Sequence, residues 1–116
     1  MGRRDTGFTT DTRRAGGVVV VSLRGELDMG TAEDFEEAIE HAQGGSAIVV
    51  DLRALTFIDS MGVRALLKAY KAGQDGHSTV SFIRGPDVVQ RVLAISGIET
   101  ILSWTEPPAE SSDGSN

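Results

Sequence analysis

The residues with the clearest chemical potential lie at two predicted strand-to-helix junctions. One junction carries Asp28 and Met29 ahead of a helix, and the other carries Asp59 and Ser60. In open α/β sheets, ligands and reactions collect where parallel strands end, so these junctions are the first candidates for a functional site. A serine hydroxyl at such a place can cap the helix, act as a nucleophile or accept a phosphoryl group. The surroundings of Ser60 therefore decide which chemistry the sequence supports.

Ser60 is predicted at the N-cap of a helix whose early Gly62 leaves the backbone open to a close neighbour. By itself this pattern favours a plain cap, because most serines at helix starts only satisfy backbone N–H groups. A phosphate on Ser60 would nevertheless lie at the positive end of the helix dipole, beside N–H donors. Its charge of about −1.5 to −2 would face Asp59 and Asp28 and repel an acidic partner. Phosphorylation would then release a partner without refolding the domain.

An enzyme that used Ser60 as a nucleophile would need a general base nearby. The two histidines are His41, late in a predicted amphipathic helix, and His77, in a predicted turn, and neither is expected near Ser60. The segment also lacks the Gly-x-Ser-x-Gly pattern of a nucleophile elbow. The chain has no cysteine, which excludes thiolate metal sites and a thiol nucleophile. We therefore expect no enzymatic activity, no cofactor and no metal; a weak nucleotide site beside Ser60 stays open.

Length and charge limit the class of partner. A chain of 116 residues is long enough for one hydrophobic core and too short for two comfortable domains. Its formal net charge of −6 argues against a nucleic-acid or anionic-membrane surface, because phosphate groups are bound by clustered Lys and Arg. The longest apolar run, residues 18–21, is far too short to span a membrane. We expect a cytoplasmic protein that binds other proteins or small molecules.

The apolar pattern predicts strands and helices in alternation. A Thr-rich segment and a Gly-Gly turn precede the β-branched residues 18–21, which predicts two paired strands. Residues 47–50 are apolar without alternation, as in a central strand buried on both faces, and residues 79–83 alternate. Between the strands, apolar residues recur at helical spacing. The fold class is therefore α/β, with a mixed, mainly parallel sheet of 4–5 strands and helices packed on it.

Individual residues predict where these elements begin and end. Thr31 and Asp34 form a variant capping box for the first helix, which should stop near residues 44–45. Gly73 is expected just after the second helix, and Pro86 in the first turn of the third. Residues 98–102 have room for a short last strand. Asp51 would end the central strand and brace or cap a turn.

Three segments resemble the STAS domain of bacterial anti-sigma factor antagonists, also called anti-anti-sigma factors. The main one is Asp51-Leu52 followed by LTFIDSMGV at 55–63, and the others are GELD at 25–28 followed by Thr31-Ala32, and VLAISGI at 92–98. They occur in the family's order on an independently predicted series of strands and helices. The chain is thus identified as a single STAS-like domain at residues 7–104, between a flexible N-terminus, 1–6, and a disordered acidic Pro/Ser-rich tail, 105–116.

The resemblance implies a phosphorylation-controlled binding protein. Ser60 would accept phosphate from an anti-sigma factor that is itself a GHKL-type serine kinase, and a PP2C-type phosphatase would remove it. The unphosphorylated domain would bind the kinase and free a sigma factor. Many family members carry a small or hydroxyl residue where this sequence has Met61. The implied partner-binding residues are Asp28, Met29, Asp59, Ser60, Met61 and Gly62, with Arg64 bordering them one helical turn from Ser60.

Two other interpretations stay open. A STAS domain can lack the switch and brace a transporter or a large signalling assembly, although the serine directly after Asp59 favours the switch. A receiver-like domain phosphorylated on Asp51 would need an acidic pair after the first strand and a late lysine in the sheet. The sequence has neither, so this interpretation ranks lower.

Overall fold

The described residues of a computed structural model, 7–42, 47–76 and 78–108, form one four-stranded sheet and three helices. The strands lie side by side in the order β1-β2-β3-β4. The pair β1–β2 is antiparallel, whereas β2–β3 and β3–β4 are parallel. This confirms the predicted mixed, mainly parallel α/β fold. In chain order the elements are β1 (Thr9–Ala15), β2 (Val18–Leu27), α1 (Ala32–Ala42), β3 (Ala47–Ile58), α2 (Ser60–Asp75), β4 (Thr79–Ile83) and α3 (Asp87–Ile95).

The first two strands form a hairpin with a two-residue loop. Gly16 and Gly17 have φ angles of 59° and 87°, which glycine adopts without the steric cost that a Cβ imposes. Positive φ at both positions gives a turn whose twist matches the flanking strands. Ala15 therefore pairs with Val18, and the register continues without a bulge to Thr9 and Arg24.

The main core lies where the helices pack on the sheet. The apolar helical faces predicted from the sequence are buried there, and Phe35, Leu66 and Leu93 contribute one fully buried side chain from each helix. Alternate residues of the strands face the other side of the sheet, where Val20, Val49 and Ile83 form a small second cluster. None of the described helices combines the length and apolar character needed to span a membrane.

The central strand is longer than the sequence predicted. β3 continues through Asp51 to Ile58. Compared with the stretch of β2 that it pairs with, β3 contains two extra residues, each at a shift in the pairing register. One shift lies between Ser22 and Arg24 of β2, and the other lies between Gly25 and Glu26. These bulges place the buried residues at 52, 55 and 58, a spacing of three that imitates a helix. The end of the strand predicted at Asp51 was therefore wrong, whereas the helix predicted to begin at the Ser60 junction is confirmed, because α2 starts at Ser60.

Two helix boundaries also differ from the prediction. α2 ends at Asp75, and Gly73 lies inside it rather than after it. A Cβ on Gly73 would lie 2.4 Å from Cγ2 of Val80, so this glycine permits close packing of α2 on β4. Its role is in packing, which a helix-stop signal cannot reveal. Pro86 is the N-cap of α3, one residue earlier than expected.

The last contact with the sheet comes later than predicted. Residues 98–102 form a turn, in which the N–H of Ile101 donates to the carbonyl of Ile98 at 2.8 Å. Residues 103–105 instead pair with β4: Phe82 donates to Ser103 and accepts from Thr105. Trp104 packs on Phe82 with ring centroids 6.0 Å apart, and its partly buried side chain lies against the main core. Three of the predictions fall outside the described residues: the flexible N-terminus, 1–6, the helix stop at 44–45 and the tail residues 109–116.

Asp51 braces a bulge in β3. One carboxylate oxygen accepts from the backbone N–H and Nε of Arg53, both at 3.0 Å, and the other accepts from the terminal guanidinium nitrogen at 2.8 Å. Burial by itself raises the pKa of Asp51. The hydrogen bonds from Arg53 and the positive charges of Arg53 and Arg13 outweigh burial and lower the pKa below its usual 3.8. The bracing role is confirmed, but it acts within a strand and not at its end.

Replacing Asp51 with asparagine tests this brace. A carboxyl whose folded-state pKa is lowered stabilises the fold above the unfolded-state pKa, and this contribution is lost as pH falls through the folded-state pKa. We expect Asp51→Asn to lower the free energy of unfolding by about 1 kcal/mol at neutral pH, since Arg53 is half exposed. The deficit should shrink below pH 3.8. Urea unfolding across pH measures it, with exposed Glu40→Gln as control; a pH-independent deficit would contradict the charge-based explanation.

Candidate functional site

The carboxylate of Asp59 joins the two strand-to-helix junctions. Oδ1 accepts the backbone N–H of Gly62 at 2.9 Å, and Oδ2 accepts the backbone N–H of Met29 at 3.1 Å. The backbone N–H of Asp59 donates to the carbonyl of Leu27 at 3.2 Å. The end of β2, the loop before α1 and the start of α2 are therefore held together through one residue.

Asp59, and not Ser60, is the N-cap of α2. Its backbone is extended, with φ −113° and ψ −174°, and its carbonyl accepts the first intrahelical hydrogen bond, from Val63 at 2.9 Å. Aspartate and serine cap helices about equally well, so the pattern Asp-Ser does not distinguish the two positions. The predicted N-cap was wrong by one residue. The carboxylate of Asp59 already caps α2, so the Ser60 hydroxyl is not needed for that purpose.

Ser60 is the first residue of α2 and its side chain is exposed. Within the described ranges, its hydroxyl makes no hydrogen bond. The backbone N–H groups of Ser60 and Met61 likewise have no acceptor there, because Gly62 is the one residue in the first turn of α2 whose N–H donates to the Asp59 carboxylate. A helix start with open N–H groups is a favourable place for an anion.

Gly62 lets the helix start approach β2. A Cβ at this position would lie 2.4 Å from the carbonyl oxygen of Leu27 and 2.8 Å from Cγ1 of Ile58. The first of these atoms belongs to the backbone, which cannot rotate away. The predicted close neighbour of Gly62 is thus the end of β2, and the contact brings Ser60 next to the Asp28 loop.

Asp28 and Thr31 shape the loop before α1. Oδ1 of Asp28 accepts the N–H of Gly30 at 2.9 Å. The buried Thr31 hydroxyl accepts the N–H of Asp28 at 2.9 Å and donates to the carbonyl of Glu26 at 2.8 Å. Thr31 therefore closes this loop onto the end of β2, a role that its prediction as part of a capping box did not include.

Exposed apolar side chains occur at the two junctions and near the end of β3. Met29 is 75% exposed, Met61 40% and Phe57 44%. Phe57 belonged to the motif but was not predicted as a binding residue. The available signal was its position between the apolar Leu55 and Ile58, which are the buried residues in the last part of β3. Exposed apolar groups near one another are typical of protein-binding surfaces.

A groove with basic residues begins beside Ser60. It lies between α1 and α2 and encloses about 610 Å³. Arg64, Lys68 and Lys71 line it together with Met61, and Nζ of Lys68 lies 3.5 Å from a carboxylate oxygen of Glu36. The remaining lining residues are Ala32, Ala65, Leu67, Ala72 and Asp75.

The structure brings six of the seven predicted site residues to one place, and Arg64 lies one turn further along α2. Their role in binding a partner stays a prediction. His41 is in a separate groove between α1 and β1, and His77 lies outside the described residues. In the described part of the chain, no three His, Asp or Glu side chains are grouped to hold a metal ion.

Comparison with known proteins identifies the fold family. The sequence model of the family described as "Mlab, STAS domain" matches residues 10–103. The chain belongs to the STAS-domain family. The matched STAS region contains all seven structural elements apart from the first residue of β1.

Individual relatives agree with this assignment. RsfB of Mycobacterium tuberculosis, named an anti-sigma-F factor antagonist, is 44% identical over 86 residues, which cover 72% of this STAS chain and 69% of RsfB. The STAS-domain containing protein PA14_20770 of Pseudomonas aeruginosa is 32% identical, with coverages of 72% and 83%. The crystal structure of an anti-sigma factor antagonist from Mycobacterium paratuberculosis superposes with a TM-score of 0.78 at 28% identity, over 94% of this chain and 93% of that one.

Asp59 can be tested by substitution within this STAS domain. Asp59→Ala removes the helix cap and the bond to Met29, and we expect the free energy of unfolding to fall by about 2 kcal/mol. Asp59→Asn keeps a good cap but has a single acceptor oxygen, so its loss should be smaller. Urea unfolding measures both. Equal stability of the wild type and Asp59→Ala would show that the junctions do not depend on this carboxylate.

Proposed function

We propose that this STAS protein is an anti-sigma factor antagonist whose binding to its anti-sigma factor is controlled by phosphorylation of Ser60. The observation that carries the proposal is the exposed Ser60 hydroxyl at the start of α2, next to exposed apolar side chains. The 44% identity to a protein named an anti-sigma-F factor antagonist supports the same role. Unphosphorylated, the domain binds the anti-sigma factor, which then releases a sigma factor.

The proposed binding surface is the one formed by the two junctions. Met29 and Met61 supply exposed apolar area beside Ser60, and burial of such area favours association. Arg64 borders the surface and can pair with an acidic group of the partner. The loop and the helix start are fixed to each other through Asp59, so little ordering is needed when the partner binds.

Phosphorylation changes the charge of this surface without removing its support. The open N–H groups of Ser60 and Met61 are suitable donors to a phosphate, so the fold tolerates the modification. The phosphate adds about −1.5 to −2 charges beside the carboxylates of Asp59 and Asp28. It would also have to be desolvated among apolar side chains when a partner covers the surface, which is costly for a charged group. Both effects disfavour binding.

The enzymes that add and remove the phosphate are part of the proposal. The kinase is the anti-sigma factor itself, a GHKL-type serine kinase, and the opposing enzyme is a PP2C-type serine phosphatase. Met61 follows Ser60 directly, so the loop offers a kinase one hydroxyl at this place.

Phosphorylation of the protein tests the switch directly. We expect incubation with the cognate kinase and ATP to add one phosphate, located on Ser60 by mass spectrometry of proteolytic peptides. Ser60→Ala should remain unmodified under the same conditions. Phosphate on another residue, or none, would contradict the switch and favour a STAS subunit without one.

Binding by Ser60 variants tests the electrostatic mechanism. We expect Ser60→Ala to bind the anti-sigma factor about as tightly as the wild type, because the hydroxyl makes no hydrogen bond within the described part of the chain. Ser60→Asp should bind at least about tenfold more weakly, a difference of about 1.4 kcal/mol. Ser60→Asn is the matched control, since it has the same size without the charge. Equal dissociation constants for the Asp and Asn variants, measured by calorimetry, would show that charge is not the cause.

A further inference from the structure

The strand β1 presents an open edge of the sheet. It is the first strand in the order β1-β2-β3-β4, and six of its seven residues are exposed. The opposite edge is partly covered, because Phe82 of β4 exchanges hydrogen bonds with Ser103 and Thr105. Among the described residues, no strand or loop pairs with β1 from outside in the same way. An open strand edge is a template for pairing with another chain.

The hairpin geometry determines which backbone groups face outward. In a two-residue hairpin the closing pair, here Ala15 and Val18, exchanges hydrogen bonds, and alternate residues then point the other way. Thr10, Thr12 and Arg14 therefore direct their N–H and C=O groups away from β2. The strand has no proline and no bulge, two of the devices by which proteins block such edges.

We propose that β1 pairs with β1 of a second copy of this chain, antiparallel about a two-fold axis at Thr12. The three outward-facing residues then form hydrogen-bonded pairs between the copies. Thr12 pairs with Thr12 of the second copy, and on each side of the axis Thr10 of one copy pairs with Arg14 of the other. Each such pair exchanges two backbone hydrogen bonds. The two sheets join into one continuous sheet with their helices on the same side.

The charges of β1 select this register. With the axis at Thr12, Asp11 of each copy lies opposite Arg13 of the other, and opposite charges directly across a strand pair are favourable. An axis at Asp11 would place two aspartates opposite each other, and an axis at Arg13 would do the same with two arginines. Like charges in that position destabilise a sheet. The self-complementary order Asp11-Thr12-Arg13 therefore favours an axis at Thr12 over an axis at either neighbouring residue.

A second contact comes from α1. In the β1–β2 pair, Thr10 lies opposite Leu23, and Arg14 lies opposite Val19. The side chains of Leu23 and Val19 belong to the main core, so all four residues lie on the helix side of the sheet. Thr10 lines a groove between β1 and α1, together with Asp34 and Glu37 of the helix.

In the paired arrangement, Arg14 of the second copy lies across from Thr10 and so beside these two carboxylates. The guanidinium group can then bind acidic side chains that flank the strand. The arrangement repeats on the other side of the axis, as required by a two-fold interface.

The interface is one strand pair with its flanking contacts, which is small compared with a permanent dimer. The dimer should therefore form reversibly and depend on protein concentration. Ser60 is not on β1, so each copy keeps its own proposed switch site, and failure of one proposal leaves the other unaffected.

Disulfide cross-linking tests the arrangement, and the absence of native cysteine makes the background clean. Facing residues of a hydrogen-bonded antiparallel pair have Cα atoms about 5.5 Å apart, within the range that a disulfide spans. We expect the Thr12→Cys variant to form a disulfide-linked dimer at least about tenfold faster than Thr9→Cys. Thr9 is equally exposed but would lie roughly 20 Å from its counterpart. Equal rates for the two variants would overturn the proposal.

Sedimentation of the protein without cysteine provides the second measurement. We expect the wild type to show a dimer fraction that rises with concentration. Thr12→Pro removes an outward N–H that the β1–β2 pair does not use, and it should sediment as a monomer with an unchanged circular dichroism spectrum. Asp11→Arg creates a like-charge pair across the axis and should also be monomeric. This variant provides the test if the proline variant fails to fold. A monomeric wild type at the concentration used for cross-linking, or a dimeric Asp11→Arg variant, would contradict the proposal.

Discussion

Both oxygens of the Asp59 carboxylate are used to hold together the two strand-to-helix junctions of this STAS domain. One oxygen caps α2 through Gly62, and the other binds the backbone of Met29 in the neighbouring loop. The close approach needs a glycine at position 62, because any side chain there would meet the carbonyl of Leu27. The position of Ser60 is thus set by the residues on either side of it, and its own hydroxyl is left exposed for chemistry.

This division of roles explains why a small chemical change can act here. A phosphate on Ser60 would alter the charge and solvation of the surface, while the hydrogen bonds that support the surface come from Asp59, Asp28 and Thr31. Removing a supporting residue should instead alter stability. The two kinds of perturbation are separable, because Asp59 and not the modified residue caps the helix.

The sequence predicted the fold class and most elements, because their apolar residues follow the period of a helix or a strand. It failed where the backbone departs from a regular period. The strand β3 was predicted to end at Asp51, although it continues through two bulges to Ile58, and Gly73 was placed at a helix end although it packs against Val80. At the candidate site, the motif indicated the loop before α2 but could not tell which of Asp59 and Ser60 is the cap. The link from Asp59 to Met29 joins residues 30 positions apart and has no local signal.

The most direct test of the central claim compares one preparation of the protein before and after complete phosphorylation of Ser60. Two quantities are measured: the affinity for the anti-sigma factor by calorimetry, and the urea unfolding of the free protein. The account predicts that phosphorylation weakens binding at least about tenfold, with little change in the free energy of unfolding. Unchanged affinity, or a loss of binding that is matched by unfolding of the domain, would contradict it.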